Sequence, residues 1–359
     1  MSAGDFVRKE LPFPPRHCVC RALLGRAPID ARRADRGIEV VVRASRKLRD
    51  EFARLIGGDR HVAFSLNTQK LDVFERGRVI ARIGRRARLL IRDGVDADRI
   101  GDALARGLVA LCGATNASSA HVTFAREAEW KFLAGHGFLQ RNDQQFHWHN
   151  QGYRGFEDFL ATLNSRHRKA IRRERRDALG SGITIHALTG SGITEEAWDA
   201  FFDFYMDTGS RKWGRPYLTR SFFSLIGQSM ADDVLLVMAK REGRWIAGAI
   251  NFIGSDTLFG RNWGAIEHHP FLHFEVCYYQ AIDFAIERGL KTVEAGAQGE
   301  HKIARGYLPQ TTYSAHYIAD PDLRRAISDY LRHERAYVAE AARELTDAAP
   351  FRKAADEPS

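Results

Sequence analysis

Hydrophobic and polar positions are most legible between Trp263 and Tyr317. Apolar residues at Phe274, Val276, Cys277, Tyr278, Ala281, Ile282 and Ala285 recur at helical spacing, and Gly289 follows Arg288 as a helix stop does. The pattern predicts a helix over His273–Arg288, then a strand over Leu290–Ala295. Gly296, Gln298, Gly299, Glu300, His301, Lys302, Arg305 and Gly306 follow at once. So many ionisable groups and glycines make poor core material. They lie just past the carboxyl end of a strand, where open α/β sheets hold their ligands. A second amphipathic stretch predicts one helix from Phe156 to about Leu179. Phe156, Phe159, Leu160, Leu163, Ala170 and Ile171 share one arc of its wheel, and Arg168, Lys169, Arg172, Arg173, Arg175 and Arg176 share the other. Glu174 and His167 fall on the apolar arc, as inward-facing polar residues.

The remaining elements come in steady order. Leu89–Arg92 reads as a strand, Ala97–Cys112 as a helix, His121–Phe124 as a strand and Glu127–Gly135 as a helix. QQFHWHN then reads as part of a hairpin-like pair, with Phe146 and Trp148 on one face and His147 and His149 on the other. After the GYRG linker and the long helix come a strand at Ile183–Leu188, helices at Glu195–Thr208 and Ser221–Met230, and strands at Val234–Ala239, Trp245–Ile253 and Thr257–Trp263. REGR and GSD form the turns between these last strands. A helix from Pro321 to about Leu345 precedes a polar tail. Before residue 89 the pattern is weak: VVR near Val41 and HVAF near Val62 look like strand fragments among recurring arginines. A basic arm, a degraded half-domain and a disturbed reading frame all remain open for that segment.

Length and composition narrow the class. At 359 residues the chain exceeds one ordinary core, so two domains are expected. A net charge of +9 biases it towards polyanions. Its 4 cysteines have neither zinc-site spacing nor disulfide density, which points to a reducing cytoplasm. No stretch is long and apolar enough to span a membrane. His147 and His149 have the spacing of a shared metal on a strand, but no third ligand accompanies them, so no metal is expected.

The order of strand, two helices, three antiparallel strands, helix and two strands is that of the GNAT acyltransferase fold. RHRKAIRRERRDALGSGITI, followed by a helix ending in YMDTGSRKWG, is similar to the second lobe of Fem-type peptidoglycan aminoacyltransferases. HFEVCYYQAIDFAIERGLKTVEAGAQGEHKIARGYLP resembles the peptidoglycan biosynthesis/recognition proteins, a FemAB-related GNAT branch. The resemblance covers about residues 89–345 and implies an α/β (α+β) architecture of tandem GNAT-like lobes, with mixed, mostly antiparallel sheets flanked by helices. Residues 1–88, where the family carries strand-rich and aromatic-rich sequence, depart from it, which leaves the completeness of the first lobe open. The expected division is a basic segment over 1–88, a remnant of the first lobe over 89–152, the second lobe with its C-terminal helix over 153–347, and a tail over 348–359.

The resemblance also implies a transfer of an acyl or aminoacyl group to an amine, such as a cell-wall precursor or a peptide. The alternatives are a non-catalytic module that recognises such a ligand and an acyl-CoA-dependent N-acyltransferase. Transfer needs a base for the amine and a donor for the oxyanion; in the fold the latter is commonly a backbone N–H of the central strand, here Thr257–Trp263. Glu300, His301, Glu275 and Glu294 are the candidate bases. Lys302 and Arg305 suit a carboxylate or phosphate. Arg211, Trp213, Arg215 and Tyr217 mix planar cations with aromatic faces, as a sugar or peptide pocket would, and Trp263, His273, Gln298 and Tyr307 complete the substrate-binding set. Where acyl-CoA enzymes carry a glycine-rich pyrophosphate turn, this chain has WGAIEHHPFLHFE, with Glu275 in the first turn. That disfavours acyl-CoA and favours an aminoacyl-tRNA donor, whose phosphates would lie on Arg168, Lys169, Arg172, Arg173, Arg175 and Arg176. No tightly held cofactor is implied.

Overall fold

A computed structural model describes residues 30–34, 37–42, 60–65, 70–75, 78–83, 89–91, 96–114, 116–180, 182–210, 216 and 218–352. These form two compact units. One comprises the described residues up to Leu139 with Ala315–Arg325; the other comprises Gln140–Ser314 with those from Ala326 onward.

The first unit contains a six-stranded sheet in chain order, β1 (Asp30–Ala34), β2 (Gly37–Val42), β3 (Arg60–Ser65), β4 (Lys70–Glu75), β5 (Arg78–Ile83) and β6 (Leu89–Ile91). Each strand pairs antiparallel with the next. The fragments expected near Val41 and Val62 are β2 and β3. β1 and β5 were not legible because arginines break the alternation on these short strands. Helix α1 (Ala97–Ala114) buries Ile100, Ala103, Leu104 and Cys112. With β7 (Ser119–Ala125) and α2 (Glu127–Ala134) it encloses a small core around Val122, Leu133 and Phe138.

The second unit carries the strand run β14-β8-β13-β12-β11-β10-β9, with β14 belonging to it as far as Ser314. These strands are β8 (Leu139–His149), β9 (Ile183–Leu188), β10 (Val234–Arg241), β11 (Arg244–Ile253), β12 (Thr257–Ala265), β13 (Thr292–Glu294) and β14 (Leu308–Ile318). QQFHWHN is thus the end of one long strand, not a hairpin. β10 shows how the layers are built. Its Val234–Ala239 run is buried on both faces, as a sheet covered by helices on each side requires. Leu235, Val237 and Ala239 enter one core. Val234, Leu236 and Met238 enter the other, under α5 (Glu195–Ser210) and α6 (Arg220–Met230). The REGR turn joins β10 to β11 with Glu242 at φ 50° and Gly243 at φ 78°, the two left-handed residues of a tight hairpin. Gly264 lets β12 approach α5: an added Cβ would sit 2.2 Å from the Phe204 carbonyl oxygen.

Two of the expected helices are divided. The stretch from Phe156 to Leu179 forms α3 (Phe156–Thr162) and α4 (Ser165–Ala178). Asn164 separates them in extended conformation, its side chain accepting from the His167 amide at 3.1 Å. An asparagine N-cap of this kind starts a new helix even where the apolar period runs on. The stretch after Phe271 starts as α-helix at Leu272–Phe274, widens to a π-helical Glu275–Tyr279 and resumes as α-helix over Gln280–Glu287; we call it α7. The last helix, α8, is Pro321–Asp347.

Candidate functional site

The site follows from three backbone features. β12 runs parallel to β13, but their pairing ends at Phe259–Glu294, and β12 continues to Ala265. The strands therefore part after three residue pairs. Phe271, at φ 63°, turns the chain left-handed into α7, a costly conformation for a bulky residue that must be held by its surroundings. The π-turn then shifts the register, with the Gln280 amide reaching back to the Glu275 carbonyl. Such turns inside α-helices occur often at functional sites.

The register shift places Glu275, Tyr278 and Tyr279 against different partners. Glu174 of α4 receives Arg305 Nη2 on both oxygens at 2.8 Å and the Tyr279 hydroxyl as a further donor. Arg305 also donates from Nη1 to the His301 carbonyl at 2.6 Å, and its guanidinium lies 3.5 Å over the Phe274 ring. Its buried Nε has no hydrogen-bond partner. The next residue of α4, Arg175, faces Glu275 at 3.0 Å and Asp283 at 2.6 Å. Glu275 is fully buried and also accepts from Gln280 at 2.7 Å.

Glu300–Arg305, expected as loop, forms a 3-10 helix that presents the remaining groups. His301 Nε2 lies 3.0 Å from the Tyr278 hydroxyl. The His273 ring lies 5.3 Å from Tyr278, 6.2 Å from His301 and 5.2 Å from Trp263 of β12. Lys302 is buried, donates to the Gly296 carbonyl at 3.4 Å and to that of Gln298, and sits over the Phe146 and Tyr278 rings. Burial lowers its pKa to about 8. Burial also lowers that of His301, with Arg305 and Lys302 adding repulsion, so the imidazole is neutral at neutral pH. The Tyr278 phenol is pushed up by its own burial and stays protonated. A neutral imidazole beside a phenol is an arrangement that can accept a proton and return it.

His301, Lys302, Arg305, His273 and Trp263 are therefore brought together, with the Gln298 carbonyl among them. Glu300 is exposed at the start of the 3-10 helix. Glu275, expected as a candidate base, is instead closed inside its ion pair, and Tyr307 is fully buried with its hydroxyl donating to the Tyr278 carbonyl at 3.2 Å. Glu294 stands apart. Val293 enters the core beneath α7, so Glu294, one residue on, points to the other face, where it meets Arg261 at 3.4 Å. Arg175, expected on the solvent ridge of α4, turns inward. Of its companions, Arg172 pairs with Glu157, Arg176 with Asp177, and Arg168 reaches the Leu163 carbonyl, while Lys169 and Arg173 are exposed. Arg211, Trp213, Arg215 and Tyr217 lie outside the described residues. Tyr278 was missed because it reads as one more apolar position. Glu174 was visible as a carboxylate on an apolar arc, but its partner was not.

A family model for peptidoglycan biosynthesis/recognition proteins, named FemAB-like, matches residues 84–353. The chain belongs to the FemAB-like family. No curated protein gives a match. Among solved structures, this FemAB-like chain is similar to L-PGS from Bacillus licheniformis, at 11% identity over 80% of this chain and 97% of that one, with a TM-score of 0.48. It is also similar to FemX, at 13% identity over 77% and 92% of the two chains, TM-score 0.49. A tandem GNAT protein from the clavulanic acid biosynthesis pathway aligns at 11% identity over 76% and 88%, TM-score 0.40. Among the described residues no group of three or more His, Cys, Asp or Glu side chains is placed to hold a metal, and no helix is long and apolar enough to cross a membrane.

Proposed function

We propose that this FemAB-like chain is a transferase that moves an aminoacyl or acyl group onto an amine of a cell-wall precursor or peptide. The observation that carries the reading is the neutral His301 imidazole, 3.0 Å from the Tyr278 hydroxyl, beside the buried cations of Lys302 and Arg305. The acceptor amine attacks the donor's ester carbonyl, forming the C–N bond and giving its proton to His301. The C–O bond to the donor then breaks, and the proton returns to the departing oxygen directly or through Tyr278. The carbonyl oxygen takes its donors from the backbone of β12 beyond Phe259, where the strand has left β13.

Two features favour an aminoacyl ester on transfer RNA over acyl-CoA. Phe271 and the buried Leu272 fill the start of α7, and the Glu275 carboxylate lies just behind them. A pyrophosphate would need glycine-exposed N–H groups there. The phosphates of an RNA would instead rest on exposed cations of α4 such as Lys169 and Arg173. Mixing the purified chain with aminoacyl-tRNA or acyl-CoA and candidate amines, with mass spectrometry of the acceptor, tests both claims. Transfer from aminoacyl-tRNA that is lost in His301→Ala is expected. Undiminished transfer in both His301→Ala and Tyr278→Phe overturns the mechanism, turnover with acyl-CoA overturns the donor, and acceptor binding without turnover supports the recognition reading.

A further inference from the structure

The other face of the same sheet holds a cavity into which no side chain of the His301 cluster enters. It measures about 150 Å³ and is lined by Leu218, Phe222, Phe223, Ile250 and Phe252, together with Arg261 and Asn262. Phe223 and Ile250 are buried in the core under α5 and α6. We propose that this cavity binds a small hydrophobic carboxylate, its tail among the phenylalanines and its anionic head on Arg261.

The geometry that points to a ligand lies in β12. Ile250 of β11 pairs with Asn262 and Asn251 pairs with Gly260, so Arg261 is an extra residue without a partner across the ladder. This is a β-bulge, which bends a strand and re-aims its side chains. Here it brings a guanidinium and a carboxamide together in the lining of an apolar pocket. Among the described residues the hydrogen bonds of Arg261, to the Gly260 carbonyl at 3.0 Å and to its ion-pair partner Glu294 at 3.4 Å, are both made by Nη1, and its guanidinium stands 5.3 Å from the Phe259 ring. The rest of the guanidinium fork is left for a planar anion, which arginine prefers to hold with two parallel bonds.

Volume sets the tail. An apolar pocket of about 150 Å³ accepts a benzene-sized group, so a phenyl ring or a short branched chain fills it. A purely apolar occupant would leave Arg261 and Asn262 unused, and a free inorganic anion would leave the phenylalanine walls empty. One molecule with both parts uses the whole site. The site is separate from the His301 cluster, since Ile250 lies in the core of the opposite sheet face from Val293. The proposal therefore stands whether or not the chain catalyses transfer.

Calorimetry or ligand-observed NMR on the full chain with 3-phenylpropionate, and with 3-phenylpropanol as its neutral analogue, tests this. Saturable binding of the acid is expected, with the alcohol weaker by about tenfold or more, the usual value of a hydrogen bond to a charged group. Arg261→Gln should erase that difference, and Phe252→Trp, which fills the cavity, should weaken both ligands. Arg261 is exposed at the sheet surface, so its replacement leaves the fold intact and the arginine arm is decisive even if the tryptophan variant folds poorly. Absence of saturable binding at millimolar acid overturns the proposal, as does equal binding of acid and alcohol, or undiminished acid binding by Arg261→Gln.

Discussion

Glu174 and Arg175 are neighbours on α4, and each anchors a cluster of charges beneath α7, yet the two clusters differ in kind. Around Arg175 two carboxylates, Glu275 and Asp283, meet one cation, and the cluster is closed at Glu275, which has 0% exposure, with Asp283 at its rim. Around Glu174 one carboxylate meets one cation, Arg305, whose Nε has no hydrogen-bond partner and whose Nη1 reaches on to the His301 carbonyl, with the buried Lys302 beside His301 in the 3-10 helix. The Arg175 cluster, with its one cation shared between two carboxylates of α7, fixes how α4 sits on α7. Arg305 and Lys302 place positive charge on either side of His301, where it attracts an anion or a developing oxyanion and adds to the burial that keeps the imidazole neutral. The two residues are adjacent in sequence, and successive positions of α4 point in different directions, so Glu174 meets Arg305 and Tyr279 while Arg175 meets Glu275 and Asp283.

Breaking the closed cluster should have the largest effect. Arg175→Met strands Glu275 inside the core, and removing one partner of a buried pair costs about 3–5 kcal/mol. Arg305→Met should cost less, by about 1 kcal/mol or more, because Glu174 keeps the Tyr279 hydroxyl and borders an edge that water can reach. Urea unfolding of both variants at pH 7 checks the order. Equal losses would mean that the Glu174 cluster is as sealed as the other.

The burial of Lys302 has a signature in pH. Lys302 has its pKa lowered to about 8 in the fold, against 10.5 for a free lysine. Between those values the unfolded chain binds the extra proton, so the contribution of Lys302 to stability rises as pH rises from 8 to 10.5, by up to about 3 kcal/mol. Lys302→Met removes that dependence. The difference in unfolding free energy between parent and variant should therefore shift across this window in the parent's favour, and a flat difference would mean that the lysine is solvated.

His301→Ala should lower transfer by about 10²-fold or more, the usual contribution of a positioned acid–base group, while changing stability by less than about 1 kcal/mol. Tyr278→Phe should do less if the imidazole alone carries the proton. Rate against pH should rise as His301 loses its proton, at a pH below the usual histidine midpoint, because burial and the neighbouring cations lower its pKa. A profile that rises only through the range of Lys302, near pH 8, would assign the base to the lysine.

These contrasts show how much the sequence can disclose. The element order of the second unit, the hairpin turn at Glu242–Gly243 and the grouping of His301, Lys302 and Arg305 were legible, because local period, turn chemistry and clustering in the chain all encode them. The split at Asn164 was not, because the apolar arc of α3 continues into α4 and only the cap marks the break. The π-turn left no trace in a window whose apolar spacing fits either helix. Arg175 shows the consequence. A helical wheel assigns it to solvent with Arg172 and Arg176, but carboxylates one hundred and more positions away hold it inward, and no local pattern contains that information.

The smallest effect, and the one that sharpens the contrast within α4, concerns its outward cations. Lys169 and Arg173 are exposed, whereas Arg175 is committed to Glu275 and Asp283. Lys169→Glu with Arg173→Glu should leave stability within about 0.5 kcal/mol of the parent, as surface substitutions do. It should also reduce the slope of log affinity against log salt for transfer RNA by about one unit per lost phosphate contact. Arg175→Met should leave the slope unchanged once its folded fraction is taken into account, since that guanidinium already spends its charge inside the protein. If the double variant keeps the full slope, the RNA lies elsewhere on the chain and α4 is a solvated surface. If Arg175→Met alone lowers it, the buried pair opens when RNA binds, and the closed cluster is a latch.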